Sequence, residues 1–261
     1  MPIVSTFCKK GGVGKTTFIG YLAHYYANQG KTVLVISADD QNSIFKIFGC
    51  ENFVTANDDD FFENLLIGEK KPEEVVFEVR PGMYLMKTLN TDRLSINLTL
   101  KRSEEKKLRG LIEDFTNYFD YIFIDFPPSS SRLTEILLDI SEKILLVVGL
   151  DPLGIDGYKN TIQYFVDCDI EISKISHIIP IGYHPIKITP NKALKELKIL
   201  AENYSPDAII ATPIKDKAVI QNLQSEGISV FDNYTMKDKF HQKNLNEISK
   251  DLTEVYKSIV L

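Results

Sequence analysis

Apolar residues along this chain fall into two kinds of run. Short continuous runs at Pro2–Phe7, Thr32–Ser37, Met83–Lys87, Tyr121–Asp125, Lys143–Leu150, Ile175–Gly182 and Ala208–Ala211 have strand length and little alternation. That is the pattern of a parallel sheet covered on both faces. Between them lie stretches with helical spacing. Thr16–Gln29 repeats Ile19, Leu22 and Tyr26 before Gly30, Glu104–Phe115 carries Leu108, Leu111 and Ile112, Lys192–Asn203 carries Leu194, Leu197 and Leu200, and Lys243–Ile259 carries Leu245, Ile248, Leu252 and Val255. The alternation predicts an α/β fold: one doubly wound domain over residues 1–261, with a mostly parallel sheet of about seven strands flanked by helices. Phe53–Pro81 reads as a helical excursion with its loops, and Asn57-Asp58-Asp59-Asp60 as a solvated turn opening a helix at Phe61–Ile67.

Charge and composition remove some function classes. The net charge of −6 argues against wholesale coating of nucleic acid but allows a local basic patch. Cys8, Cys50 and Cys168 lie far apart, without a CxxC pair or zinc spacing. Reduced thiols are expected, and a cluster-carrying or metal-carrying protein is disfavoured. The four histidines are scattered and suggest no metal role. The N-terminus is too short and polar for a signal peptide, and runs such as Ile144–Leu150 cannot span a bilayer, so no membrane span and a cytoplasmic location are expected.

The strongest chemical signal follows the first strand. Gly11-Gly12-Val13-Gly14 leads through Lys15, Thr16 and Thr17 into a helix. Glycines let successive backbone N–H groups turn toward phosphate oxygens, and the helix N-terminus adds the positive end of its dipole. Lys15 supplies a cation for the β- and γ-phosphates, and the Thr16 hydroxyl can ligate Mg²⁺. ATP with Mg²⁺ is the expected ligand. Acids at neighbouring strand ends complete such a site. Tyr121–Ile124 ends in Asp125-Phe126-Pro127-Pro128, and Thr32–Ser37 leads into Ala38-Asp39-Asp40-Gln41.

The common P-loop pattern places glycine at position 9, where Lys9 stands. The run from Lys10 to Thr16, KGGVGKT, resembles the deviant Walker A loop of the ParA/MinD family of P-loop ATPases, and the resemblance covers most of the chain. It implies that Lys10 reaches across an ATP-bound homodimer to the partner's phosphates. Asp125 matches the metal-holding Asp of the family's DxPP, and Asp39 and Gln41 match its DxDPQ switch, in which that Asp positions the attacking water. Ser37 replaces the first Asp of that pattern and Asp40 its Pro. Nucleotide binding should survive both changes, whereas rate and switch geometry are open to change. Leu153–Gly157 is similar to a helix start that follows the family's next strand. Thr212-Pro213-Ile214 resembles the segment that packs on adenine, although by composition it is an ordinary loop.

Within the family, the sequence fits a partition ATPase that binds double-stranded DNA without sequence preference and answers to a ParB-like or other activator protein. Lys192, Lys195 and Lys198 recur every three residues on one helical face, and Lys215 and Lys217 could extend it. The same lysines also read as a solvated helix surface. A MinD-like membrane-cycling ATPase needs a basic amphipathic tail, and Lys250–Leu261 balances Lys250 and Lys257 with Asp251 and Glu254. A regulatory ATPase of secretion or cell-surface machinery is the other alternative. The loop starts at residue 10, so no helix-turn-helix extension and no sequence-specific DNA binding are expected.

Overall fold

The computed structural model describes residues 2–55, 62–215, 218–236 and 238–259. The acidic run 57–60 and Lys217 lie outside the described residues. Among the described residues, a sheet of nine strands forms the centre. In chain order the strands are β1 (Ile3–Phe7), β2 (Val33–Ser37), β3 (Val76–Arg80), β4 (Met83–Met86), β5 (Tyr121–Asp125), β6 (Lys143–Gly149), β7 (Ile175–Tyr183), β8 (Ile209–Ile210) and β9 (Ile214–Lys215). Their spatial order is β3-β4-β2-β5-β1-β6-β7-β8, with β9 also paired to β7.

The continuous apolar runs behave as parallel strands must. β1 and β2 are buried at every position. Side chains of β2 and its neighbour β5 alternate between two cores: Leu34, Ile36, Ile122 and Ile124 face one, and Val33, Val35 and Phe123 face the other. Helices cover both faces, so neither side tolerates a polar row.

One expectation is corrected. Phe53–Pro81 is not wholly helical, because Val76–Arg80 forms an edge strand antiparallel to β4. The signal was the Pro81-Gly82 pair between two β-rich runs, with Gly82 at φ 75°. β3 is only half-buried, so it lacks the continuous apolar character of the central strands. β9 was also missed, because two residues carry no periodicity. The helix expected to open at Lys192 begins at Ile188, and the last helix spans Lys239–Ser258.

A polar clamp ties the segment after residue 226 to the first helix and to β3. Arg80 grips Asp232 with two bonds, Nε to Oδ1 at 2.7 Å and Nη2 to Oδ2 at 3.0 Å, and also donates to the Gly227 carbonyl at 3.0 Å. His24, on the first helix, pairs its Nδ1 with the Ser229 hydroxyl at 2.8 Å. Burial pushes the His24 imidazole down from 6.5 to about 4, against the pull of Asp232. The folded chain therefore resists the proton more than the unfolded chain does. Its contribution is complete above the ordinary value and is lost as pH falls toward 4, up to about 3 kcal/mol. Denaturant unfolding of the wild type and of His24→Asn, between about pH 7 and about pH 4.5, should show the acid-induced loss smaller in the variant. Equal losses would exclude His24 as its source.

Candidate functional site

β1 lies between β5 and β6, and β5 also pairs with β2. The loops at the carboxyl ends of these strands therefore meet. In register, Asp125 sits beside Thr6 on one side and Ser37 on the other. The chain leaves β1 into the glycine loop, where Gly12 has φ 71° and Gly14 φ 89°, values that favour glycine. Gly14 is also the N-cap of the helix Lys15–Ala27, and no side chain caps that helix. Its first-turn N–H groups are thus left to an anion.

Lys15 is curled into the loop. Its ammonium donates to the Lys10 carbonyl at 3.0 Å and the Cys8 carbonyl at 3.4 Å. Burial lowers its pKa, while Cys8, Asp125 and Asp39 pull it back up. Asp125 is 1% exposed, and burial pushes its carboxyl up to about 7 against a hydrogen bond from Thr16 and the charge of Lys15. Its Oδ1 is buried with no hydrogen-bond partner among the described residues. An orphaned carboxylate oxygen beside a threonine hydroxyl is the donor set that a hard divalent cation requires. The residues fit Mg²⁺.

Asp39 lines the same cleft, of about 560 Å³, together with the loop from Gly11 to Thr17. Its Oδ1 accepts the Gln41 N–H at 3.0 Å. The loop carrying it is pinned by Asn42, which is buried at φ 45°. Asn42 donates to the Thr88 carbonyl at 2.7 Å and accepts the Thr88 N–H at 3.1 Å. Ser37 donates its hydroxyl to the Asp39 carbonyl at 3.0 Å. A carboxylate at position 37 would lie in register beside buried Asp125, and two buried like charges repel. The serine removes that conflict.

Lys10 does not enter the cleft. Its ammonium pairs with Asp151 Oδ1 at 3.3 Å, and the same oxygen caps the helix Pro152–Asp167 through the Gly154 N–H at 2.8 Å. Lys9 contacts Ser130 and lies over the Tyr164 ring at 4.6 Å. Thr17 accepts a hydrogen bond from the Gln224 amide at 2.8 Å. Ile214 lines a second cleft with Gly12, Val13, Gly14 and Thr17, while Pro213 lines a neighbouring one with Tyr183 and Asp251. Lys192, Lys195 and Lys198 are exposed on the helix Ile188–Tyr204 and belong to none of these clefts. Lys215 is paired with Asp251 at 3.6 Å. Asp151, Asn42 and Gln224 escaped the sequence reading. Asp151-Pro152 carries a helix-start signal, but nothing local announces its contact with Lys10.

The profile of the AAA-domain family matches residues 1–175. The chain belongs to this family, on its ParA/MinD branch. A chromosome-partitioning ATPase, Soj of Treponema pallidum, is 23% identical over 226 residues, covering 85% of this chain and 86% of its own. Among solved structures, apo McdA of Cyanothece superposes with a TM-score of 0.80 at 17% identity, covering all of both chains. MinD of Pyrococcus horikoshii, complexed with Mg-ADP, superposes at 0.69 with 18% identity over 99% of this chain and 95% of that one. These structural likenesses establish the P-loop fold.

Lys15→Ala should weaken ATP binding at least about 100-fold, since a buried charge-assisted phosphate contact has no substitute in the loop. Calorimetric titration measures this, and an unchanged affinity would refute Lys15 as the phosphate cation.

Proposed function

We propose that this chain is an ATP-hydrolysing, ATP-dimerised partition ATPase that binds double-stranded DNA without sequence preference and positions a cargo with an activator protein, in the cytoplasm. The observation that carries the nucleotide reading is the convergence of Lys15, Thr16, Asp39 and Asp125 around an uncapped helix N-terminus. Lys15 and the N–H groups of Gly11 to Thr17 take the phosphates. Thr16 and Asp125 would hold Mg²⁺, which neutralises charge on the transferring phosphoryl group. Asp39, held by the Gln41 N–H, orients the attacking water. Ile214 supports the adenine in the cleft it shares with the phosphate loop, whereas Pro213 stands in the neighbouring one.

Lys10 acts across the dimer. In the single chain its pair with Asp151 is half in water, with the two side chains 23% and 49% exposed. Such pairs are weak, so the lysine can leave Asp151 for a phosphate on a second copy. Lys10→Ala should keep ATP affinity of the monomer within about tenfold yet abolish ATP-dependent dimerisation. Sedimentation with a slowly hydrolysed analogue tests this, and normal dimerisation by the variant would refute it.

The DNA reading rests on the exposed lysines. Lys192, Lys195 and Lys198 have no ion-pair partner among the described residues, because Glu196, the acid between them, is taken by Lys159 at 2.9 Å. Their charge is free to meet phosphates. Two copies would offer about six such contacts, giving a slope of log K against log salt of about −5. Pairing also makes the second contact intramolecular, so binding should depend on ATP. Changing all three lysines to Glu should abolish DNA binding and leave ATP affinity intact. Gel-shift assays on unrelated duplexes across a salt series are the check. No binding with ATP at low salt would favour a regulatory ATPase acting at the membrane.

A further inference from the structure

We propose that Ile186 and Ile188 form an apolar wedge that enters the minor groove of the DNA held by the neighbouring lysines and partly unstacks a base step there. The inference rests on the DNA reading of Lys192, Lys195 and Lys198, and adds to it a contact that is not electrostatic. Among the described residues, Ile186 is the most exposed large apolar side chain, at 85%, and Ile188 is 71% exposed. Single apolar residues at a surface are ordinary. Here two of them flank Lys187 at one tip, between the end of β7 and the helix Ile188–Tyr204.

The tip is held in shape from within. The Asn191 amide donates to the Lys187 carbonyl at 2.7 Å and to the His184 carbonyl at 3.0 Å, which closes the turn. Pro185 and Pro190 restrict the backbone on either side. Side chains carried on a braced turn lose less freedom when a partner takes them up. The surroundings name that partner. From His184 to Lys195 the chain has three lysines and no acid. Ile188, Lys192, Lys195 and Ile199 follow one another at helical spacing, so they share one face, and Ile199 is also 60% exposed. Cations and aliphatic groups along one ridge match a polyanion whose interior is apolar.

Duplex DNA fits this ridge better than a lipid surface does. A helix lying on a bilayer needs a broad apolar face for the acyl chains, and the apolar face of this helix, with Pro190, Ala193, Leu197 and Ala201, is buried. A row of lysines instead suits a line of phosphates. From Lys192 back to Ile188 the helix spans about 6 Å, about the width of the minor groove. Lysines on the phosphates of one groove wall therefore bring the tip to the groove itself. An aliphatic wedge makes no hydrogen bond to a base edge, so binding stays independent of sequence. Such insertion kinks a duplex by about 20° or more.

Ile186→Ser combined with Ile188→Ser tests the wedge, and Ile186→Leu combined with Ile188→Leu is the conservative control. All four changes fall at exposed positions outside the nucleotide cleft. Anisotropy with ATP on unrelated duplexes across a salt series reads affinity and salt slope, and energy transfer between dyes at the two ends of a short duplex reads the bend. The serine pair should bind about tenfold more weakly at fixed salt and leave the duplex straight. It should keep the wild-type slope of about −5, because the phosphate contacts are untouched. The leucine pair should bind and bend as the wild type does. Unchanged affinity in the serine pair, or an unbent duplex with the wild type, overturns the proposal. So does a flatter slope in the serine pair, which would make the isoleucines supports for the lysines. A leucine pair that behaves like the serine pair overturns it as well. Vesicles of phosphatidylglycerol and phosphatidylcholine supply the lipid arm: wild-type binding that the serine pair loses would assign the tip to lipid and overturn the wedge. Failure of the wild type to bind any duplex with ATP at low salt would bring down the DNA reading, and this proposal with it.

Discussion

The unpaired N–H groups at the start of the helix Lys15–Ala27 are the constraint around which this structure is arranged. A helix that begins at a left-handed glycine, with no side chain to cap it, leaves backbone donors and a positive dipole end exposed to one small volume. The surrounding elements answer that potential. β1 delivers the loop from between β5 and β6, and pairing with β5 brings Asp125 into the same volume. Burial there raises the Asp125 carboxyl and lowers the Lys15 ammonium, so each group is held at a cost that a bound phosphate and cation would relieve.

The loops behind the site are held by a comparable logic. The loop after β2 carries Asp39 toward the cleft and is held from behind by the reciprocal Asn42–Thr88 bonds. Thr88 follows β4, a strand that does not itself reach the site. The helix Ala218–Ser225 brings Gln221 and Gln224 to both clefts. The segment just beyond it is clamped through Gly227 and Asp232 to Arg80. Gly49 and Gly227 pack so closely that a Cβ on Gly227 would lie 2.4 Å from the Gly49 Cα. The Asp39 side and the Gln224 side of the site are thus braced against each other through backbone, where side-chain rearrangement cannot absorb a displacement.

Central strands and the phosphate loop were legible in the sequence because their signals are local. A run such as Val33-Leu34-Val35-Ile36 admits few readings, and three glycines before Lys-Thr need only the strand and helix beside them. Edge strands were harder. Val76-Phe77-Glu78-Val79-Arg80 is half-buried, and a polar residue in a short run weakens the periodic signal. Contacts across the chain were not legible at all. Lys10 and Asp151 are separated by 141 positions, and His24 and Ser229 by 205.

The two ends of the sheet carry a consequence of their own. One edge is shared by β8 and β9, each two residues long, and the other is β3, whose register shifts between Glu78 and Arg80. Among the described residues, neither presents a long, flat row of free main-chain groups, the feature that lets one sheet recruit another. Copies crowded together, even at very high local density, find no template for extending the sheet from molecule to molecule. Self-association is left to faces that can close on themselves, and fibre growth along the strand edges is disfavoured by the fold itself.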